Sequence, residues 1–231
     1  MKKLLFLLFP IFSYGQASFN VMASDFQTVG IGVVAGQSFV TGRLYIWFVG
    51  VSNAGGSPAT ITLTGTGQTW TQVATTLNNS TNRRIYAFRF APGSNNTNQT
   101  DFNITGVQDG MFHFLVEVTN VITTGTNGAD GVVQSTTSSA NGADPSLTLS
   151  ALGGRNSVIS SFINERNPFT GTPESGWTES DGGYATPDTG GYLMYRVNTT
   201  DNTPTVTATS SNWGGIAIEV RTSGRRAVIV N

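Results

Sequence analysis

The chain has 231 residues, no cysteine, one histidine, 11% charged residues and a formal net charge of −1. Without cysteine there is no thiol nucleophile, thiolate metal site, disulfide framework or lipid-anchored N-terminus. Both lysines stand at positions 2 and 3, so the rest of the chain sets ten arginines against thirteen carboxylates. That mild acidity, with no basic stripe, excludes nucleic acid as an expected partner.

The chain opens with Met1-Lys2-Lys3, an apolar run over 4–12 and small residues at Ser13 and Gly15. This order predicts a signal peptide over 1–15, a mature domain over 16–231, and an extracellular or cell-surface location. The apolar run falls short of the roughly 20 residues that span a bilayer, so no membrane span is expected in the mature chain.

Beyond the leader, Thr, Val, Ile, Phe and Tyr dominate the apolar runs, and Gly, Asn, Ser and Asp break them every ten residues or so. The spacing predicts strands over 44–51, 70–71, 84–90, 101–105 and 112–118. A second set in the same order follows over 157–164, 177–178, 192–197, 204–209 and 215–220. The fold class expected is all-β: a two-sheet antiparallel sandwich, a double Greek-key jelly roll built from two similar halves over 42–122 and 155–222. A polar connection over 123–154 joins them.

Strand alternation places Phe112, Phe114, Val116 and Val118 on one face, with Ile216, Ile218 and Val220 as their copy. Aligning Arg89 with Arg196 places Tyr86, Phe88 and Phe90 against Leu193, Tyr195 and Val197. All four sets are expected to line the gap between the sheets. The same alignment predicts ion pairs Arg89–Glu117 and Arg196–Glu219. Trp70 and Trp177 recur at matching places and are expected to plug the ends of the sandwich.

In the connection, Asn-Gly-Ala-Asp occurs at 127–130 and again at 141–144, which turn chemistry explains. A calcium site between Asp130 and Asp144 is the alternative to test, although the spacing fits no EF-hand loop. The tail carries Arg225 and Arg226 before an apolar segment, and reads as an edge strand or an assembly tail.

The half-repeats resemble jelly-roll modules of secreted bacterial surface proteins and of phage virion or tail-associated proteins. The residues carrying the resemblance are Gln68-Thr69-Trp70-Thr71-Gln72 with Ser175-Gly176-Trp177-Thr178-Glu179, then Phe88-Arg89-Phe90 with Tyr195-Arg196-Val197, then Glu117-Val118 with Glu219-Val220. The resemblance implies binding, adhesion or assembly outside the cytoplasm and supplies no common catalytic residues.

His113, between two phenylalanines, reads as a strand residue, and one histidine without cysteine makes no zinc site. Glu117, Glu165, Glu174, Glu179 and Glu219 show no pairing that marks a glycosidase. No catalytic residues, metal ligands or cofactors are assigned. The candidate ligand-binding residues are Tyr184, Trp213, Asp181 and Asp188, because two unduplicated aromatics beside loop carboxylates suit a sugar. The expected function is a non-catalytic exported module for adhesion or for binding a glycan or surface polymer. The alternative is a structural subunit of an extracellular filament or virion assembly that self-associates through an edge strand or the tail.

Overall fold

The computed structural model describes residues 15–28, 33–153, 155–165, 169–185 and 189–224. The predicted leader, apart from Gly15, and the tail from Arg225 lie outside them. The first half holds β1 (Ser18–Gln27), β2 (Val33–Phe39), β3 (Leu44–Ser52), β4 (Thr60–Thr64), β5 (Thr71–Leu77), β6 (Arg83–Phe90), β7 (Asn96–Thr105) and β8 (Gly110–Thr119). The second holds β9 (Val132–Gly142), β10 (Ser157–Asn164), β11 (Gly171–Pro173), β12 (Thr178–Ala185), β13 (Thr189–Arg196), β14 (Val206–Ala208) and β15 (Ser211–Val220). The connection expected over 123–154 therefore contains a full strand, β9.

The all-β antiparallel sandwich is present, but with four sheets among the described residues where two were expected, because each half folds a small sheet of its own beside its large one. Its two central sheets have the orders β1-β8-β3-β6-β5 and β12-β13-β10-β15-β9. They face each other with β1 lying over β12 and β5 over β9. Each half also folds a smaller sheet over its outer face: β2-β7-β4 on the first and β11-β14 on the second. The order 1-8-3-6 beside 2-7-4 is that of a double Greek key. The second half repeats it with β9, β15, β10 and β13, and a Ser146–Thr205 bridge extends its small sheet.

This layering explains the apolar runs. β3, Leu-Tyr-Ile-Trp-Phe-Val-Gly-Val-Ser, is buried at every residue. It is covered on both faces, so it has no reason to alternate. Its even-numbered residues Leu44, Ile46 and Phe48 join the central core with Phe112, Phe114, Val116 and Val118, and with Ile216, Ile218 and Val220 across the gap. Tyr45, Trp47, Val49 and Val51 enter the outer core under β2, β7 and β4.

One predicted set goes to the other side. Tyr86, Phe88 and Phe90 lie in the outer core, while Ile85 and Ala87 reach the gap. Leu193 does face the gap, with Tyr195 and Val197 packed against it. Register gives the reason. Phe90 pairs with Tyr45, and Arg196 pairs with Val158, the equivalent of Tyr45. Phe90 thus matches Arg196, and Tyr86 matches Tyr192. An alignment slipped by one residue moves a whole strand to the opposite face.

A shared irregularity confirms this equivalence. β5 bulges between Gln72 and Ala74 against β6, and β12 bulges between Glu179 and Asp181 against β13. Thr71 and Thr178 begin both strands, each one residue after a tryptophan. Trp70 and Trp177 pack into the outer cores of their own halves and do not plug the central gap.

Candidate functional site

The four predicted ligand residues do not come together. Tyr184 stands near the end of edge strand β12 and is 37% exposed. Trp213 lies inside β15, 5% exposed, edge-on to Phe162 with ring centroids 6.2 Å apart. The polar Ser210-Ser211-Asn212 that reads as a loop tip includes the start of that strand. Tyr184, Gly190, Asn164 and Trp213 follow one another across the sheet in register. Three strand spacings, about 14 Å, therefore separate the two residues along the sheet. Asp181 pairs with Leu193, on the gap side, whereas Tyr184 pairs with Gly190, on the outer side. Asp188 lies outside the described residues. Trp213 is a core residue and leaves the candidate site; Tyr184 keeps an open face.

The predicted ion pairs are absent. Arg89 pairs across strands with Ile46, and Glu117 with Tyr45, so the two side chains leave opposite faces of the sheet. Glu117 instead binds Arg43 Nη1 at 2.5 Å and accepts from the Tyr45 hydroxyl at 3.2 Å. To its equivalent Glu219, Gln134 Nε2, the Gly153 amide and Asn156 Nδ2 donate at 2.6, 2.9 and 2.5 Å. Arg196 turns to Asp201, 2.7 Å away.

Among the described residues, Asp201 lies beside a second carboxylate, Glu174. Burial first, then the neighbouring Asp201 charge, pushes the Glu174 carboxyl above its ordinary range. Burial would raise Asp201 too, but donors from Trp177 and Thr203 and the Arg196 charge hold it below. Trp177 Nε1 and Arg196 Nη1 donate to Oδ2 at 2.9 and 2.7 Å, and the Thr203 amide and hydroxyl donate to Oδ1 at 3.1 and 3.0 Å. Four donors use up the acceptor sites of one carboxylate. The group staples the start of β12 to the loop after β13.

Calcium between Asp130 and Asp144 is ruled out by distance along the fold. The eleven residues of β9 stand between them, about 37 Å at the ordinary strand rise. Asp130 Oδ2 accepts from Thr124 Oγ1 at 2.7 Å, and Asp144 Oδ1 accepts from the Ala208 amide at 3.1 Å. Among the described residues, no three His, Cys, Asp or Glu side chains gather as a metal site.

His113 is 2% exposed, between Trp47 and Phe102 with ring centroids at 5.6 and 5.7 Å. Burial pushes its pKa down to about 4, against the opposing charges of Asp25 and Asp181. The imidazole is neutral and walled in.

The surface feature that sequence reasoning missed is a shallow depression of about 420 Å³ on the ribbon β11-β14. Thr170, Thr172, Thr207 and Thr209 line it with Gly171 and Ala208. Thr172 pairs with Thr207 and Gly171 with Ala208, so the four threonines share the exposed side. Only the pairing of two three-residue strands brings these threonines together. Each Thr-x-Thr alone is unremarkable in a chain this rich in threonine.

The chain matches no protein-family model, no curated protein and no solved structure. Among the described residues, no helix is long and apolar enough to cross a membrane.

Proposed function

We propose that this protein is an exported, non-catalytic surface module that adheres to a neutral, hydroxyl-rich polymer of glycan type. The observation that carries the reading is the uncharged threonine depression on the outer side of the second half. Threonine offers a hydroxyl that both donates and accepts, beside a methyl that covers the apolar face of a sugar ring. Tyr184 projects from the same outer side of β12 and supplies an aromatic surface for a longer chain. Export rests on the order of charged, apolar and small residues at positions 1–15.

A glycan array probed with the purified chain tests the reading, followed by titration of the best neutral polysaccharide. The double variant Thr172→Val, Thr207→Val keeps the volume and removes two hydroxyls; it is expected to weaken binding by about tenfold, or 1.4 kcal/mol. Unchanged binding by this variant, or no signal on any neutral polymer, overturns the assignment.

A second reading, a structural subunit of an extracellular assembly, is favoured by a different observation. The stacked edges of β5 and β9 are both outermost in their sheets.

A further inference from the structure

The two sides of the central sandwich differ in chemistry. On one side, edge strands β1 and β12 carry Asp25, Glu179 and Asp181 and no basic residue. On the other, β5 reads Thr-Gln-Val-Ala-Thr-Thr-Leu and β9 reads Val-Val-Gln-Ser-Thr-Thr-Ser-Ser-Ala-Asn-Gly, without one charge. Natural edge strands are blunted by charge, proline, bulges or brevity. β9 has eleven residues and no proline, and its one bulge falls at its start, opposite Glu219 and Val220. Ser135, Thr137, Ser138 and Ser139 are exposed. Among the described residues, no hydrogen bond takes up the outward main-chain groups from Ser135 to Asn141.

We propose that this neutral edge pairs with the same edge of a second copy of the chain. β9 runs antiparallel to its counterpart about a two-fold axis normal to the sheets, and the five-stranded sheet continues as one of ten strands. The inference rests on the assembly reading and names its contact.

Antiparallel pairing about a two-fold axis is the operation under which one strand complements itself. The neutral edge meets its copy without repulsion, whereas the acidic edge would set carboxylate against carboxylate. Because β5 lies over β9, the same axis brings the β5 edges alongside each other. An edge about 37 Å long and about 20 Å thick offers about 700 Å² per copy, close to the roughly 800 Å² of a stable interface.

The experiment is the mass of the full chain in solution by sedimentation and light scattering. Twice the chain mass is expected for the wild type. The double variant Ser138→Lys, Ser139→Lys is expected to halve that mass, because the axis sets the lysines of two copies together. Asp181→Lys on the acidic edge is expected to leave the dimer intact. Since the chain has no cysteine, Ser138→Cys gives an independent reading. Mild oxidation should link it into a dimer through a disulfide across the axis, and Ser18→Cys on β1 should stay single. A wild type of single-chain mass at every concentration overturns both the pairing and the assembly reading. Assemblies that survive the double lysine variant, or a Ser138→Cys chain that does not cross-link, overturn the β9 pairing and leave assembly by another surface standing.

Discussion

Arg83 and Glu165 meet across the two halves of the chain, Nη1 to Oε1 at 3.0 Å, and the second half answers with a counterpart. By strand register Arg83 corresponds to Thr189, and Glu165 to Ser52. The Thr189 hydroxyl donates to the Ser52 hydroxyl. Two clasps related by the internal two-fold thus hold the halves together, one ionic and one hydroxylic. Duplication kept the geometry and let the chemistry diverge.

The ionic clasp should matter more. Arg83 is 1% exposed, and Glu165 also accepts from Asn78, Ser80 and Asn212. Removing the carboxylate takes the counter-charge from a buried guanidinium that still donates to Asn82 Oδ1, a loss of about 2–3 kcal/mol, since Glu165 is partly open to solvent. Denaturant titration of Glu165→Ala is expected to show that loss, against about 1 kcal/mol for Ser52→Ala.

Acid should weaken the protein in two steps. Above the ordinary histidine value of 6.5 the neutral His113 of the fold costs nothing. Between there and about pH 4 the unfolded chain takes a proton that the fold refuses, so stability falls as pH falls. The window is worth about 3 kcal/mol. Burial would raise the Glu165 carboxyl, but Ser80, Asn212, Asn78 and the Arg83 charge together hold it lower. Its share is therefore complete above the usual carboxylate range and is lost below it. Thermal melts from pH 7 to 3 should show both slopes, and His113→Leu should flatten the first alone.

Phe114 faces the central gap with no exposed surface. Phe114→Ala is expected to cost about 3–5 kcal/mol by equilibrium unfolding. Trp213→Ala should lose a similar amount through the outer core. It should leave polymer binding per folded molecule unchanged, as befits a buried ring.

Phe112 lies between the halves against two glycines. A Cβ on Gly191 would stand 2.8 Å from Phe112 Cγ, and one on Gly50 would overlap the same ring. Gly191→Ala is expected to cost about 1–3 kcal/mol, the usual penalty of overpacking, and Phe112→Leu should relieve it in the double variant.

Composition and alternation made the strands legible. β3, β6, β8, β10, β13 and β15 fall where apolar runs and turn residues place them, because an edge of Gly, Asn and Asp stops a ladder wherever it falls in space. The duplication was legible too, in Trp70 and Trp177 and in Glu117 and Glu219. Strand β9 was not, since an exposed Ser- and Thr-rich edge looks like connection, and β1 and β2 lie in a stretch where apolar and polar residues mix without a clear run.

The face of each strand and the partner of each charge belong to the tertiary structure. A one-residue shift in aligning the halves exchanged Tyr86 for Ala87 in the gap, and no local feature of either strand registers that shift. Arg89 and Glu117 lie on the two strands that flank β3, yet stand on opposite sides of the sheet. Trp213 follows polar residues but is closed in by Phe162 and the outer core, and the threonine depression exists only because β11 pairs with β14. Sequence determines what local sterics and solvent contrast determine: all-β architecture, two copies and turn positions. Burial, pairing and the shape of a surface depend on residues far apart in the chain, so only the folded arrangement decided them.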